Sequence, residues 1–459
     1  MRITVFRESA SVGRFMTRRD VVKGPGERLN IWIVHPTAGG PSIGRHWRPY
    51  WLADAWNRMG HDTTVICSNF HHLMQQPQRS PGLHRIEDVD FWFVPTARYN
   101  GNGPGRFISM LSFRLGLAHE FKKLLILKPP DIIIASVPHF FHVQLLKRLA
   151  RRRRIPFWVE VRDLWPLSLT TVGNLKSWNP LVKLISIQEK RAYSSADLLI
   201  SLLANAEQHM VERGLQPGRF VWIPNGVSSS EMSSALNGMI LDHPIIRHIL
   251  DTKATGKKIV LYAGAMGEPN ALDVLIDAAS ILSTSAPDIH FILVGRGESR
   301  KRLMSKAASH ANVEFFDEVS RPVAQSALSA IDCAVVTFHK SYLYDHGISP
   351  NKLFDYCLCA PRAVIACDQS SLSGLESLAL NRCEPNNSVA LARCIEVALS
   401  EPARSAIERC NAVMEFSYTN LATRYLESGI SSRLPVHPCA NENERKRETT
   451  LLRNFPRSV

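Results

Sequence analysis

Leu29-Asn-Ile-Trp-Ile-Val34 is an apolar run that leads directly into the glycine loop His35-Pro-Thr-Ala-Gly-Gly-Pro-Ser-Ile-Gly44. From Arg45 to Met59 the period changes, and Trp47, Trp51, Leu52, Ala55 and Trp56 fall on one helical face. Gly60 ends that pattern, and Thr63-Thr-Val-Ile-Cys67 begins a second strand. Strand, glycine loop, helix, strand is a βαβ unit, the element from which parallel sheets are built.

The alternation continues on both sides of the chain's middle. Strands are expected at Asp131–Ala135, Pro156–Val161, Asp197–Leu203 and Phe220–Ile223, with helices at His142–Arg153 and Leu181–Tyr193. Runs this apolar suit parallel strands covered on both faces. Residues 228–256, rich in serine and broken by Gly238, Pro244 and Gly256, read as a connecting segment. A second series follows, with strands at Lys258–Tyr262, His290–Val294, Val313–Phe316, Cys333–Thr337 and Arg362–Ala366. Helices are expected at Ala271–Leu282, Val323–Ala330 and Lys352–Leu358. The fold class is therefore α/β, with two Rossmann-like βαβ domains facing one cleft, over residues 29–227 and 257–411. Residues 1–28 and 431–459 lack periodicity and are expected to be a disordered extension and tail.

Composition narrows the options. At 459 residues with 45% hydrophobic and 21% charged residues, the chain fits a soluble protein of more than one domain. The stretch Ile132–Leu146 is too short and too interrupted to span a bilayer, and the first residues lack a signal peptide's apolar core. Nine scattered cysteines without paired zinc spacing point to free thiols, with neither disulfide nor structural metal. Residues 1–230 hold 31 Lys and Arg against 16 Asp and Glu, whereas residues 231–459 hold 24 against 25. A strongly basic half joined to a neutral one implies an anionic partner on one side. Charge alone does not choose among nucleic acid, anionic lipid and a pyrophosphate-bearing acceptor.

Three loops carry candidate chemistry. Gly39-Gly40 lies between a strand and a helix, where backbone N–H groups can approach a phosphate, although any tight turn favours glycine. Val294-Gly295-Arg296-Gly297-Glu298, with Lys301 one turn on, is a second such turn, and Arg296 and Lys301 either meet an anion or are solvated charges. The most specific stretch is Gly347-Ile-Ser-Pro-Asn-Lys-Leu-Phe-Asp355-Tyr356. Pro350 opens a helix there and leaves the N–H groups of Asn351, Lys352 and Leu353 near its start, where they and Ser349 can hold phosphate oxygens. A lysine in a first turn opposes the helix dipole, and an anionic ligand would account for Lys352. Asp355 is placed to accept hydrogen bonds from ribose hydroxyls.

In order, His35–Arg48 with its Gly-Gly, Glu160-Val-Arg-Asp-Leu-Trp-Pro166, Ile223-Pro-Asn-Gly-Val227, Leu261-Tyr-Ala-Gly264, Leu293-Val-Gly-Arg-Gly297 and Ser349–Tyr356 resemble glycosyltransferase family 4. The likeness is to its bacterial surface-polysaccharide branch, of the O-antigen and capsule type, and spans about residues 29–428. It implies the GT-B architecture and a metal-independent, configuration-retaining transfer from a nucleotide-diphosphate sugar, UDP-linked, that needs no cofactor. The donor would occupy the second domain, contacted by Gly264, Arg296, Gly297, Lys301, Ser349, Pro350, Asn351, Lys352 and Asp355, with Gly39 and Gly40 reaching its diphosphate from the first. Helix 412–430 would return to the first domain, which would take a lipid-linked or saccharide acceptor. Two departures stand out. Gly347 and Asp355 occupy the positions of the family's paired glutamates, and Ala265–Asn270 lacks the Arg and Lys common after the tyrosine-glycine strand.

Asp163 and His139 follow strands of the first half and are the candidate catalytic residues. Asp163 either orients the acceptor and shares its proton or caps the next segment; His139, ranked below it, and His46 are cleft or structural residues. A nucleotide-sugar epimerase and a non-catalytic donor-binding subunit remain alternatives, and no nucleic-acid module surrounds Arg151–Arg154. Arg106–Arg114, with interleaved Phe107, Ile108, Met110, Leu111 and Phe113, then Lys122, Lys123 and Lys128, suit either the interface of an anionic membrane or a core-facing helix with a basic rim. Cytoplasmic location, with peripheral contact at the inner face of the cell membrane, is the expectation.

Overall fold

The computed structural model describes residues 27–431, apart from 75–77, 100–103, 138, 172, 174, 239–241 and 379. Apart from residues 27, 28 and 431, the expected extension and tail lie outside the described residues.

The first sheet contains β1 (Asn30–Val34), β2 (Asp62–Ser68), β3 (Gly82–Ile86), β4 (Val89–Val94), β5 (Ile132–Val137), β6 (Phe157–Val161), β7 (Leu198–Ser201) and β8 (Phe220–Trp222). Their spatial order is β3-β4-β2-β1-β5-β6-β7-β8, parallel except for the β3–β4 hairpin at one edge. Side chains alternate across β1: Trp32 and Val34 enter one core, Ile31 and Ile33 the other. Both faces are therefore covered, which is why the strand reads as an unbroken apolar run. Helices Pro104–Leu127, Val143–Arg153 and Pro180–Tyr193 cover the first face. The second is covered by Arg48–Arg58 and, from the far end of the chain, by Tyr418–Ser431.

That last helix is held by specific contacts. Trp56 Nε1 donates to Ala422 O at 3.0 Å, and a Cβ on Gly429 would lie 2.0 Å from the Trp158 ring. Beneath it, buried Arg48 donates to Glu160 Oε2 at 2.9 Å, while Ser136 and Tyr425 donate to the same carboxylate at 2.6 and 3.3 Å. Burial opposes ionisation of Glu160, but Arg48 and Ser136 outweigh it and hold the carboxyl below its ordinary range.

The second sheet contains β9 (Lys258–Ala263), β10 (Ile289–Val294), β11 (Val313–Phe316), β12 (Cys333–Thr337), β13 (Ala363–Ala366) and β14 (Asn381–Cys383), in the order β11-β10-β9-β12-β13-β14, all parallel. In each sheet the order reverses beside the first strand, at β1–β5 and at β9–β12. Crevices for ligands open at the carboxyl ends of strands at such points.

The hairpin β3–β4 was not anticipated, because nothing local in Gly82–Val94 shows which strands it pairs with. Residues 228–256, expected as a connection, hold helices Ser229–Asn237 and Pro244–Ala254. The first begins with a reciprocal capping box between Ser228 and Glu231, formed by the Ser-x-x-Glu pattern of the sequence.

Candidate functional site

The carboxyl ends of β9 and β10 meet backbone to backbone. Gly295 has φ +147°, and a Cβ there would lie 1.9 Å from Gly264 O; one on Gly297 would lie 2.3 Å from Met266 O. Only glycine permits that approach. Gly264 N donates to Val294 O at 2.9 Å and Gly295 N to Phe316 O at 3.1 Å, so these two amides are engaged in the strand ends.

Helix Asn351–Cys359 points its start into the same crevice, with Pro350 as the cap residue. Leu353 N donates to Pro350 O at 3.1 Å, which removes it from the expected phosphate donors and leaves Asn351 and Lys352. Lys352 Nζ donates to Tyr262 Oη at 3.1 Å and to Asn270 Oδ1, and lies 4.7 Å from the centre of the Tyr262 ring. Among the described residues no carboxylate pairs with it, and burial lowers its pKa to about 7.

Other residues of the motif face elsewhere. Ser349 Oγ accepts from Asn225 N at 2.7 Å, and its carbonyl accepts from Asn225 Nδ2, so the serine joins the two domains. Asp355 Oδ1 accepts from Arg321 at 2.8 Å and Gln325 at 3.0 Å; Arg321 also reaches Glu231 at 2.8 Å. Where a ribose contact was expected, the carboxylate belongs to a charge network joining two helices of the second domain to helix Ser229–Asn237. Burial opposes the Arg321 charge, but Asp355 and Glu231 hold its pKa above the usual arginine value. Lys301 is exposed on helix Arg300–Lys306, and Arg296 is exposed and paired with Glu318.

Across the cleft, the loop after β1 folds on itself. Gly39 N donates to His46 O at 3.1 Å and Gly40 N to Gly44 O at 3.3 Å. Neither amide is offered to a phosphate, contrary to the sequence expectation. Glycine at 39 answers to packing, since a Cβ would lie 1.7 Å from Arg45 O. His46 sits at φ +68°, an uncommon conformation for a non-glycine residue. Its Nδ1 is 3.3 Å from Thr37 Oγ1, and burial followed by the nearby Arg162 charge brings its pKa down to about 3. Arg162 donates to His35 Nε2 at 3.1 Å, consistent with an imidazole that burial keeps neutral.

Asp163 is reachable by solvent yet crowded by surrounding protein. That desolvation raises its carboxyl above the ordinary range, against the pull of Arg162. Asp163 lies just before the short helix Leu167–Thr171, which packs against helix Tyr342–Asp345 of the second domain. His139 is different. It is buried against Phe141 and His142, with its pKa brought down to about 3 by burial and then by Arg106.

Two family profiles meet this architecture in order. A glycosyl transferase 4-like domain matches residues 44–226, and glycosyl transferases group 1 matches residues 257–401. The chain is a glycosyltransferase that carries both of these domains. It is 25% identical over 308 residues to the Escherichia coli protein WcaI, named for glycosyl transfer in colanic acid biosynthesis, which covers 65% of this chain and 73% of that one. Among solved structures, sucrose-phosphate synthase of Thermosynechococcus elongatus superposes with TM-score 0.64 at 15% identity, over 87% of this glycosyltransferase and 98% of that chain. Anabaena HepE, solved with UDP and glucose, gives 0.59 at 14% identity, over 88% and 100%. These likenesses establish the GT-B fold of the enzyme.

Sequence reasoning missed several residues of this glycosyltransferase's cleft. Tyr262 and Asn270 hold Lys352 from 90 and 82 positions away. Asn205 crosses the cleft to donate to Asp345 O at 3.0 Å and Ser370 O at 2.9 Å. Long-range partners of this kind leave no local pattern, although Asn225 stands in the Pro-Asn-Gly turn that the sequence does display.

Proposed function

We propose that the enzyme transfers a sugar from a UDP-linked donor, with retention of configuration, to a lipid-linked saccharide in surface-polysaccharide biosynthesis. The observation that carries this is the position of Lys352 at a helix start, in a crevice lined by Gly264 and Gly295. Asn351 N–H, Lys352 and the helix dipole would receive the diphosphate, and their charge would stabilise it as the bond from phosphate oxygen to the sugar's anomeric carbon breaks. The acceptor hydroxyl would add on the face the diphosphate leaves, with Asp163 orienting it and sharing its proton. Lys352 and Arg296 would supply the positive charge, so turnover is expected to survive excess EDTA; loss restored by Mg²⁺ would refute metal independence. HepE's UDP and WcaI's assignment to colanic acid support the donor and pathway class.

The basic half is proposed to dock on an anionic bilayer. Phe107 and Met110 pack towards the core and Phe113 is buried, so the sequence-level apolar run divides between two faces. Helix Pro104–Leu127 still exposes Ile108, Leu115 and Ile126 at 57, 64 and 70%. Trp178, Leu181, Leu184 and Ile187 add a second exposed stripe, and the basic end of helix Val143–Arg153 belongs to the same layer. Among the described residues no helix is long and apolar enough to cross a membrane. Flotation is expected to require anionic lipid and to fall with salt; equal binding to neutral vesicles would refute docking. The transfer itself is tested with labelled nucleotide sugars and a polyprenyl-linked acceptor. Transfer supports the reading, isomerised free donor favours an epimerase, and binding without turnover favours a non-catalytic subunit.

A further inference from the structure

Glu318 stands just beyond β11, at the mouth of the cleft. Its two carboxylate oxygens hold arginines from opposite domains: Oε1 accepts from Arg45 in the first domain's glycine loop, and Oε2 pairs with Arg296 in the turn after β10. All three side chains reach solvent, at 51, 34 and 71% for Arg45, Glu318 and Arg296. Exposed pairs of this kind contribute little to stability. The arrangement therefore needs another account than holding the fold together.

Two guanidinium groups from opposite lips converge on a single carboxylate and leave a net positive charge. Forked guanidinium donors match phosphate as well as carboxylate geometry. A diphosphate has more acceptor oxygens and more negative charge than Glu318, and the neighbouring crevice already offers Lys352 and a helix start. We infer that Arg45 and Arg296 form a diphosphate clamp across the cleft, with Glu318 as the resident counter-ion that the donor displaces. The inference rests on the donor reading above and adds a first-domain residue, Arg45, to the binding machinery. It gives the first domain a charged contact with donor even though the Gly39 and Gly40 amides are engaged within their own loop. It also makes closure of the two lips depend on an anion between them.

The test is calorimetric titration of the full chain with inorganic pyrophosphate and, separately, with UDP. Glu318→Gln removes the competitor and is expected to tighten both by about fivefold, whereas Arg45→Gln weakens both by about tenfold, also in the Glu318→Gln background. Asp317→Asn is the control for general charge, because Asp317 pairs with Arg300 at 3.0 Å and touches neither arginine. It is expected to change affinity by less than about twofold. Equal effects of the two neutralisations, or wild-type affinity in Arg45→Gln, would overturn the clamp. Pyrophosphate binding that responds to the substitutions while UDP does not bind would sustain the clamp and count against the UDP donor. UDP binding that ignores Arg45 would leave the donor reading standing and remove the clamp.

Discussion

The two walls of the cleft are built on opposite principles. On the second-domain side the floor is backbone: Gly295 and Gly297 let two strand ends touch, and one half-desolvated lysine supplies the charge. On the first-domain side the wall is side chains, with His35 and His46 held neutral by burial and by the neighbouring Arg162 charge. A backbone floor with one cation suits a ligand part that every donor shares, the diphosphate. A wall of neutral rings and one open carboxylate, Asp163, suits a partner recognised by shape and hydroxyl pattern. On the proposed function, most charge recognition falls to the second domain, joined by Arg45 from the first, and acceptor chemistry to the first.

The largest expected effect strikes the backbone floor. Gly295→Ala combines an unfavourable φ with a Cβ 1.9 Å from Gly264 O and is expected to cost on the order of 4 kcal/mol, with loss of UDP binding. Gly40→Ala on the other wall meets only side-chain atoms at 3.4 Å and is expected to cost less than about 1 kcal/mol. Chemical denaturation of both variants measures this, and equal losses would break the contrast between the walls.

Next comes the buried pair beneath the last helix. Glu160→Gln leaves the Arg48 charge buried without its partner and is expected to cost about 3 kcal/mol. Hydrogen exchange is expected to rise in helix Tyr418–Ser431 while the second sheet stays protected. Uniform exchange throughout would show that the two domains unfold as one unit.

Lys352→Ala tests the charge on the backbone floor without touching the core. UDP affinity is expected to fall by about 2 kcal/mol in a folded protein, because a charge-assisted partner is lost. Calorimetry giving wild-type affinity would remove Lys352 from the site.

The smallest effect is the pH profile. Lys352 has its pKa lowered to about 7, so it is charged below that value and loses its proton as pH rises through it. A bound diphosphate favours the charged form, and UDP affinity is therefore expected to decline between about pH 7 and 9. His46 and His139, with pKa values of about 3, stay neutral across this range and contribute nothing. Lys352→Met is expected to flatten the decline. A slope that survives this substitution would move the titrating group elsewhere.

Much of the fold was legible because parallel strands buried on both faces read as bare apolar runs. Val313–Phe316 and Cys333–Thr337 match their expected bounds, and other strands such as β1 and β9 shift by only one residue. Val89–Val94 escaped although it is equally apolar, for nothing local shows that it pairs with β2. The motif Ser349–Tyr356 reads as a helix start, and a helix begins there.

What the sequence by itself determined is the alternation of strand, loop and helix, since periodicity and glycine act over a few residues. It also supplied the types of group available for chemistry at each loop. The tertiary structure alone decided their employment. Asp355 turns to Arg321, Ser349 to Asn225, Gly39 to the carbonyl of His46, and Lys352 alone of its motif keeps a lowered pKa in the crevice. Hydrogen-bond partners and desolvation come from segments distant in the chain, and no local pattern encodes them.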